Sequence, residues 1–136
     1  MAYPSALSDT GFKYQLVCSN GTLDIEVNAF FSPDGSWVKP GDKNAALLKH
    51  EQGHYNLAEV FALRLRNAIR HAHVNCADKA NANEYGQKTV AQFQKDWQDA
   101  EHEYEENTRY GTDLTKQGQA SDKIAADLKA LNTNQR

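Results

Sequence analysis

His50, Glu51 and His54 carry the most legible chemistry in this sequence. They stand in the run His50-Glu51-Gln52-Gly53-His54, an HExxH pattern. On a helix, residues four apart lie one turn apart on the same face, so both imidazoles can reach one metal ion. Zinc accepts neutral imidazole nitrogen readily and keeps an open position in catalytic sites. Glu51, beside the first ligand, is expected to aim at that open position rather than at the metal. There it can take a proton from a zinc-activated water, whose pKa the ion lowers towards about 7, and return it to a leaving amine. The pattern therefore predicts Zn2+ held by His50 and His54, with Glu51 as the catalytic base of peptide-bond hydrolysis.

The plainer alternative is two helix histidines and a glutamate on a wet face. Leu47, Ala58 and Phe61 weigh against it. They place the motif in an apolar stripe, where three unpaired polar groups would be costly to bury.

Positioning such a motif needs a helix and something to pack it on. From about Asn44 to His73 the apolar period is helical, with Leu47, His50, His54, Ala58, Phe61, Leu65 and Ile69 at spacings of three and four. Before it, residues 12–31 read as a β-hairpin. Phe12, Tyr14, Leu16 and Cys18 alternate with polar positions, Asn20-Gly21 marks a turn, and Leu23, Ile25, Val27 and Ala29 alternate again. Ser32-Pro33-Asp34-Gly35 predicts a turn, and Pro40-Gly41-Asp42 a loop leading to a helix cap. Asn75-Cys76-Ala77-Asp78 breaks the first helix. A second is expected over about 82–108, with Val90, Phe93, Trp97, Ala100 and Tyr104 as its stripe, interrupted at Tyr110-Gly111. A last amphipathic stretch runs from Ser121 to Leu131, and the polar Asn132–Arg136 end is expected to fray. The expected fold is α+β: a small antiparallel hairpin or sheet packed on two or three helices, zincin-like, as one domain over residues 1–136. A strand edge beside the motif helix could hold an extended peptide by backbone pairing.

Bulk properties exclude several partners. With 15 Lys and Arg against 18 Asp and Glu, and no basic cluster, nothing favours nucleic acid. No apolar run approaches the roughly 20 residues that span a bilayer, so no membrane insertion is expected. The N-terminus lacks the basic and apolar regions of a signal peptide, which suits a cytoplasmic protein or a mature form carrying an added Met1. Cys18 and Cys76 read equally as one disulfide, favouring an oxidising compartment, or as two buried thiols. If the hairpin packs along the first helix, the two cysteines lie near each other. His71, His73 and Cys76 could bind a metal, but histidines in the last turn of a helix also suit its negative end. The acidic run Glu101, Glu103, Glu105 and Glu106 reads as a wet helix face.

The segment Leu47-Leu48-Lys49-His50-Glu51-Gln52-Gly53-His54-Tyr55-Asn56-Leu57-Ala58-Glu59, after Ser36-Trp37-Val38, resembles the predicted secreted zinc-dependent proteases of bacteria. That family is an HExxH metallopeptidase-like domain of unknown function. Its helix reads L-L-x-H-E-Q-x-H-[FY]-D-[IL]-A-E, and a later signature reads Y-D-x-E-T-x-H-G. The resemblance covers roughly residues 25–120. It implies a zinc peptidase acting on peptides or proteins, secreted or periplasmic. Asn56 stands where Asp is usual. The second signature is followed loosely by Tyr110–Gly118 if one residue is inserted, which leaves Gln117 where the family has His.

A catalytic zinc takes three protein ligands as a rule, so one must come from outside the motif. HExxHxxGxxH is absent, since Asn56 and Leu57 follow His54. Asp113 aligns with the Glu of the later signature and is the first choice. Glu103, Glu106 and His102 on the second helix are alternatives, each also readable as a solvated charge. Tyr110 could hydrogen-bond a developing oxyanion or simply pack. Two rival functions stand beside the peptidase. One is a metal-retaining but catalytically silent binding module, the other a metal-free helical interaction domain.

Overall fold

The structure, a computed structural model, describes residues 6–38 and 45–134. Two antiparallel strands, β1 (Ala6–Ser19) and β2 (Thr22–Val38), are followed by three helices: α1 (Ala45–Ala72), α2 (Lys79–Thr108) and α3 (Leu114–Asn134). This is the expected α+β arrangement of a hairpin on helices.

The hairpin turns where the sequence predicts. Asn20 (φ 54°) and Gly21 (φ 81°) both take left-handed conformations, as a two-residue turn matched to strand twist requires. The register then pairs Cys18 with Leu23, Leu16 with Ile25, Tyr14 with Val27 and Phe12 with Ala29. These are the alternating positions of the two strands, so they share one face. Leu23, Ile25, Val27 and Phe12 are buried there against α1. The turn expected at Ser32–Gly35 is not a chain reversal. β2 continues through it, and pairing jumps from Asp9↔Ser32 to Leu7↔Trp37. Pro33–Ser36 thus oppose Ser8 alone, an irregularity that suits a proline with no N–H to offer the ladder. The loop expected at Pro40–Asp42 lies outside the described residues.

Three contacts tie the hairpin tip to the loop between α1 and α2. Leu23 donates its N–H to the Val74 carbonyl (2.8 Å), and Cys76 donates to the Gly21 carbonyl (2.9 Å). Cys18 and Cys76 are joined in a disulfide, Cα to Cα 6.2 Å, across 58 residues of sequence. With its tip fixed at the C-terminal end of α1, the hairpin runs back along that helix towards the motif.

Helix limits follow caps more than apolar stripes. α2 begins at Lys79 rather than 82 because the Asp78 carboxylate accepts from the Asn81 N–H (3.1 Å). It ends at Thr108, after which Arg109, Tyr110 and Gly111 are all left-handed. α3 begins at Leu114 rather than Ser121, because Asp113 accepts from the Lys116 N–H (3.0 Å) and caps about two extra turns before the apolar stripe starts. Its other end is helical through Asn134, beyond Leu131. α2 packs on α1 and on β1, where Trp97 meets Phe12 edge-on at 5.8 Å and Tyr14 donates its hydroxyl hydrogen to Gln87 (2.9 Å), and α3 packs on α1 and α2. Val90, Tyr104 and Ile124 complete the core formed by Val60, Phe61, Leu65 and Ile69. No helix among the described residues is long and apolar enough to cross a membrane.

Candidate metal centre between α1 and α2

The first half of α1 presents His50 and His54 inward, 2% and 9% exposed, with their rings 4.9 Å apart and nearly perpendicular. Ligand atoms of His50, Glu51 and His54 lie within 4.8 Å of one another. The helical phase explains this directly, since the two histidines occupy the same stripe as Leu47, Ala58, Phe61 and Leu65.

The C-terminal half of α2 lies across them. Glu105 Oε1 is 2.8 Å from His50 Nε2 and also contacts His54 Nε2. Glu101 Oε2 contacts the other nitrogen of the second ring, His54 Nδ1. Tyr104, between the two acids, stacks on the His50 ring at 4.8 Å and 5°. Its hydroxyl donates to the His50 backbone carbonyl (2.7 Å). From α3, Gln117 Oε1 lies 2.7 Å from His50 Nδ1. Each imidazole therefore turns Nε2 to the shared Glu105 oxygen and Nδ1 to an acceptor of its own.

Two glycines make the close approach possible. A Cβ on Gly53 would overlap the Tyr104 hydroxyl. Gly111, at φ 85°, brings the chain after α2 against His50, where a Cβ would lie 2.8 Å from that ring.

The electrostatics are those of a compressed cluster. Burial lowers the pKa of His54, but the hydrogen bonds and charges of Glu101 and Glu105 outweigh it and raise the group to about 10. Burial raises Glu105, yet His50 and His54 pull it down to about 2. Tyr104 is pushed up, first by burial and then by the charges of Glu105, Glu101 and Glu51, against the Gln117 hydrogen bond. Glu101 Oε1 is buried with no hydrogen-bond partner. A carboxylate oxygen and two imidazole nitrogens meeting at one point are all lone-pair donors. Such a set is favourable only around positive charge, whether a proton or a metal cation.

The other sequence candidates are placed elsewhere. Asp113 caps α3 through Lys116, and its backbone carbonyl accepts from Gln117 N–H (2.8 Å). His102 and Glu106 pair with each other at 3.0 Å on the outer face of α2, 75% and 66% exposed. Glu103 is exposed and lines a separate cavity of about 360 Å³ between α1, α2 and α3. Tyr110 is 36% exposed in the left-handed turn after α2. Of the His71, His73 and Cys76 group, Cys76 is committed to the disulfide and His71 Nδ1 bonds the Asn67 carbonyl (2.7 Å).

The acidic run on α2 is not uniformly wet. Glu101 and Glu105 are about four-fifths covered, and they face the histidines. The signal for them was their spacing of four, with Tyr104 and Thr108 on the same side of the wheel.

No family model matches the chain, and no curated protein or solved structure matches it either. The chain has an α+β hairpin-on-helices fold in which two buried histidines and the half-buried Glu51 are faced by a pair of glutamates.

Proposed function

We propose that this protein is a zinc-dependent peptidase, with His50, His54 and Glu105 as metal ligands and Glu51 as general base. The observation that carries the reading is the convergence of both Nε2 atoms of an HExxH pair on one Glu105 oxygen. The donor set suits zinc, which takes two histidines and a carboxylate in a common catalytic arrangement. The unpartnered, buried Glu101 oxygen also fits a site built around positive charge. Bound zinc would supply a polarised water with a pKa near 7.

The remaining work falls to the chain's own groups. Glu51 has its carboxylate within 4.8 Å of both histidine ligand atoms. It would accept the water's proton and deliver it to the leaving nitrogen. Glu101, on His54 Nδ1, holds that ring and raises its basicity as a ligand. The outer edges of the two-stranded sheet could pair with an extended peptide. The resemblance of residues 47–59 to bacterial zinc-dependent proteases supports the reading. The Cys18–Cys76 disulfide favours a secreted or periplasmic setting.

The test is cleavage of an unfolded protein by wild type and Glu51→Gln at matched zinc occupancy. Loss of the base should cost about 10²–10⁴-fold in rate while zinc stays bound. Zinc binding without cleavage across a broad peptide library would leave a metal-holding binding module instead. Equal cleavage by both proteins would overturn Glu51's role.

A further inference from the structure

The geometry points to Gln117 as a positioning residue that fixes the tautomer and ring plane of His50, and so makes Nε2 its metal-facing nitrogen. This rests on the zinc reading above and adds a third helix to the site.

Tyr104 Oη donates its one hydrogen to the His50 carbonyl (2.7 Å), so towards any other partner it can only accept. Gln117 lies 2.9 Å from that oxygen and 3.1 Å from Ser121 Oγ through the same end of its amide. That end must be the NH2. The amide's other end, a carbonyl that only accepts, faces His50 Nδ1 at 2.7 Å. Nδ1 must then carry the hydrogen.

Thr108 leads to the same answer independently. Its hydroxyl donates to the Tyr104 carbonyl (2.8 Å), leaving only an acceptor towards His50 Nδ1 at 3.4 Å. Every neighbour of Nδ1 is thus an acceptor. A neutral His50 has its lone pair on Nε2, the atom that meets Glu105. Tyr104, stacked 5° from parallel, prevents the ring from turning away. Gln117 is 2% exposed, so water does not replace its carbonyl. Without that acceptor the ring would gain by moving its hydrogen to Nε2, where it blocks the metal.

The position of Gln117 follows from the cap. Asp113 starts α3 early, and Gln117 donates its N–H to the Asp113 carbonyl in the first turn. The acid taken from sequence as a ligand therefore serves the site at one remove, by setting the helix that carries Gln117.

The test compares zinc affinity, by competition with a chromophoric chelator, in wild type, Gln117→Met and Gln117→Glu. Gln117→Met keeps the volume without the acceptor and should bind zinc about 10–100-fold more weakly. Gln117→Glu restores an acceptor on Nδ1, though it loses the NH2 that donates to Tyr104 Oη, and should recover most of the affinity lost in Gln117→Met. In zinc-loaded wild type, ¹⁵N spectra should show His50 protonated at Nδ1, a reading that needs no variant. Wild-type affinity in Gln117→Met, equal weakening in both variants, or a hydrogen on Nε2 would each overturn the role of Gln117. A wild type that takes up no zinc would instead remove the zinc reading, and this inference with it.

Discussion

The hydroxyl of Tyr104 reaches the backbone carbonyl of His50 by passing directly over the bare Cα of Gly53. Three residues of the motif and its neighbour helix are thereby locked in one contact. Ala is ordinarily favoured over Gly in a helix interior, by about 1 kcal/mol. Here a methyl would meet an oxygen that also accepts from Gln117 and has little room to retreat. Overpacking of that kind costs roughly 1–3 kcal/mol. Gly53→Ala should therefore lower stability in urea despite its better helix propensity. Adding Tyr104→Phe, which removes the clashing oxygen, should recover part of the loss. A more stable Gly53→Ala would mean that the two helices separate more easily than the contact implies.

The two acids competing for the role of third ligand are separable by what each loses. Glu105 touches both imidazoles, whereas Asp113 bonds a backbone N–H at the start of α3. Glu105→Gln should weaken zinc binding by roughly tenfold or more, since a neutral amide replaces a carboxylate among the ligands. Asp113→Ala should instead cost about 1 kcal/mol of stability through the lost cap. Its effect on zinc should be smaller and transmitted through Gln117. Chelator competition and urea melts on both variants decide it. Reversed rankings would restore Asp113 as ligand.

Much of the fold could be read in advance because it rests on periodicities. The hairpin register follows from alternation about Asn20-Gly21, and α1 from a stripe that includes both histidines. The limits of α2 and α3 were missed because Asp78 and Asp113 act through single cap hydrogen bonds, which leave no periodic trace. Glu101 and Glu105 were missed for a related reason. A charged residue on a helix is usually wet, and only its partners across the interface reveal otherwise. His50 and His54 supply those partners from 47 to 55 residues away. Gln117 was noted only as a mismatch, since an uncharged amide shows its value through geometry alone.

The disulfide and the metal cluster lie towards opposite ends of α1, so they should fail separately. Cys18 and Cys76 close a loop spanning 58 residues, worth about 4 kcal/mol in the chain-entropy account. Cys18→Ala/Cys76→Ala should lower the melting temperature substantially. Zinc affinity measured well below that temperature should stay near wild type. A large loss of zinc affinity at full folding would show that the hairpin's anchorage reaches the site.

In chelator-treated protein, the protons held by the cluster set how its contribution to stability depends on pH. His54 is raised from an ordinary 6.5 to about 10, because Glu101 and Glu105 outweigh its burial. A group raised on folding contributes stability fully below its unfolded value and loses it as pH climbs through its folded value. Stability from His54 should therefore fade between about pH 6.5 and 10. Glu105, depressed from 4.5 to about 2, has the opposite sign. Its contribution is present above 4.5 and lost as pH falls towards 2. Between pH 7 and about 9, below the range where Tyr104 begins to ionise in the unfolded chain, the His54 slope should operate at this cluster, so melting temperature should fall with rising pH. His54→Ala should flatten that fall, while Arg70→Ala, at the far exposed ion pair with Asp24, should not. Zinc needs the imidazole without its proton, so its binding near neutral pH should release protons and tighten as pH rises. Calorimetry in buffers of different ionisation heat counts those protons. Parallel melting profiles for wild type and His54→Ala, with no proton release on zinc binding, would mean that His54 is not protonated in the cluster.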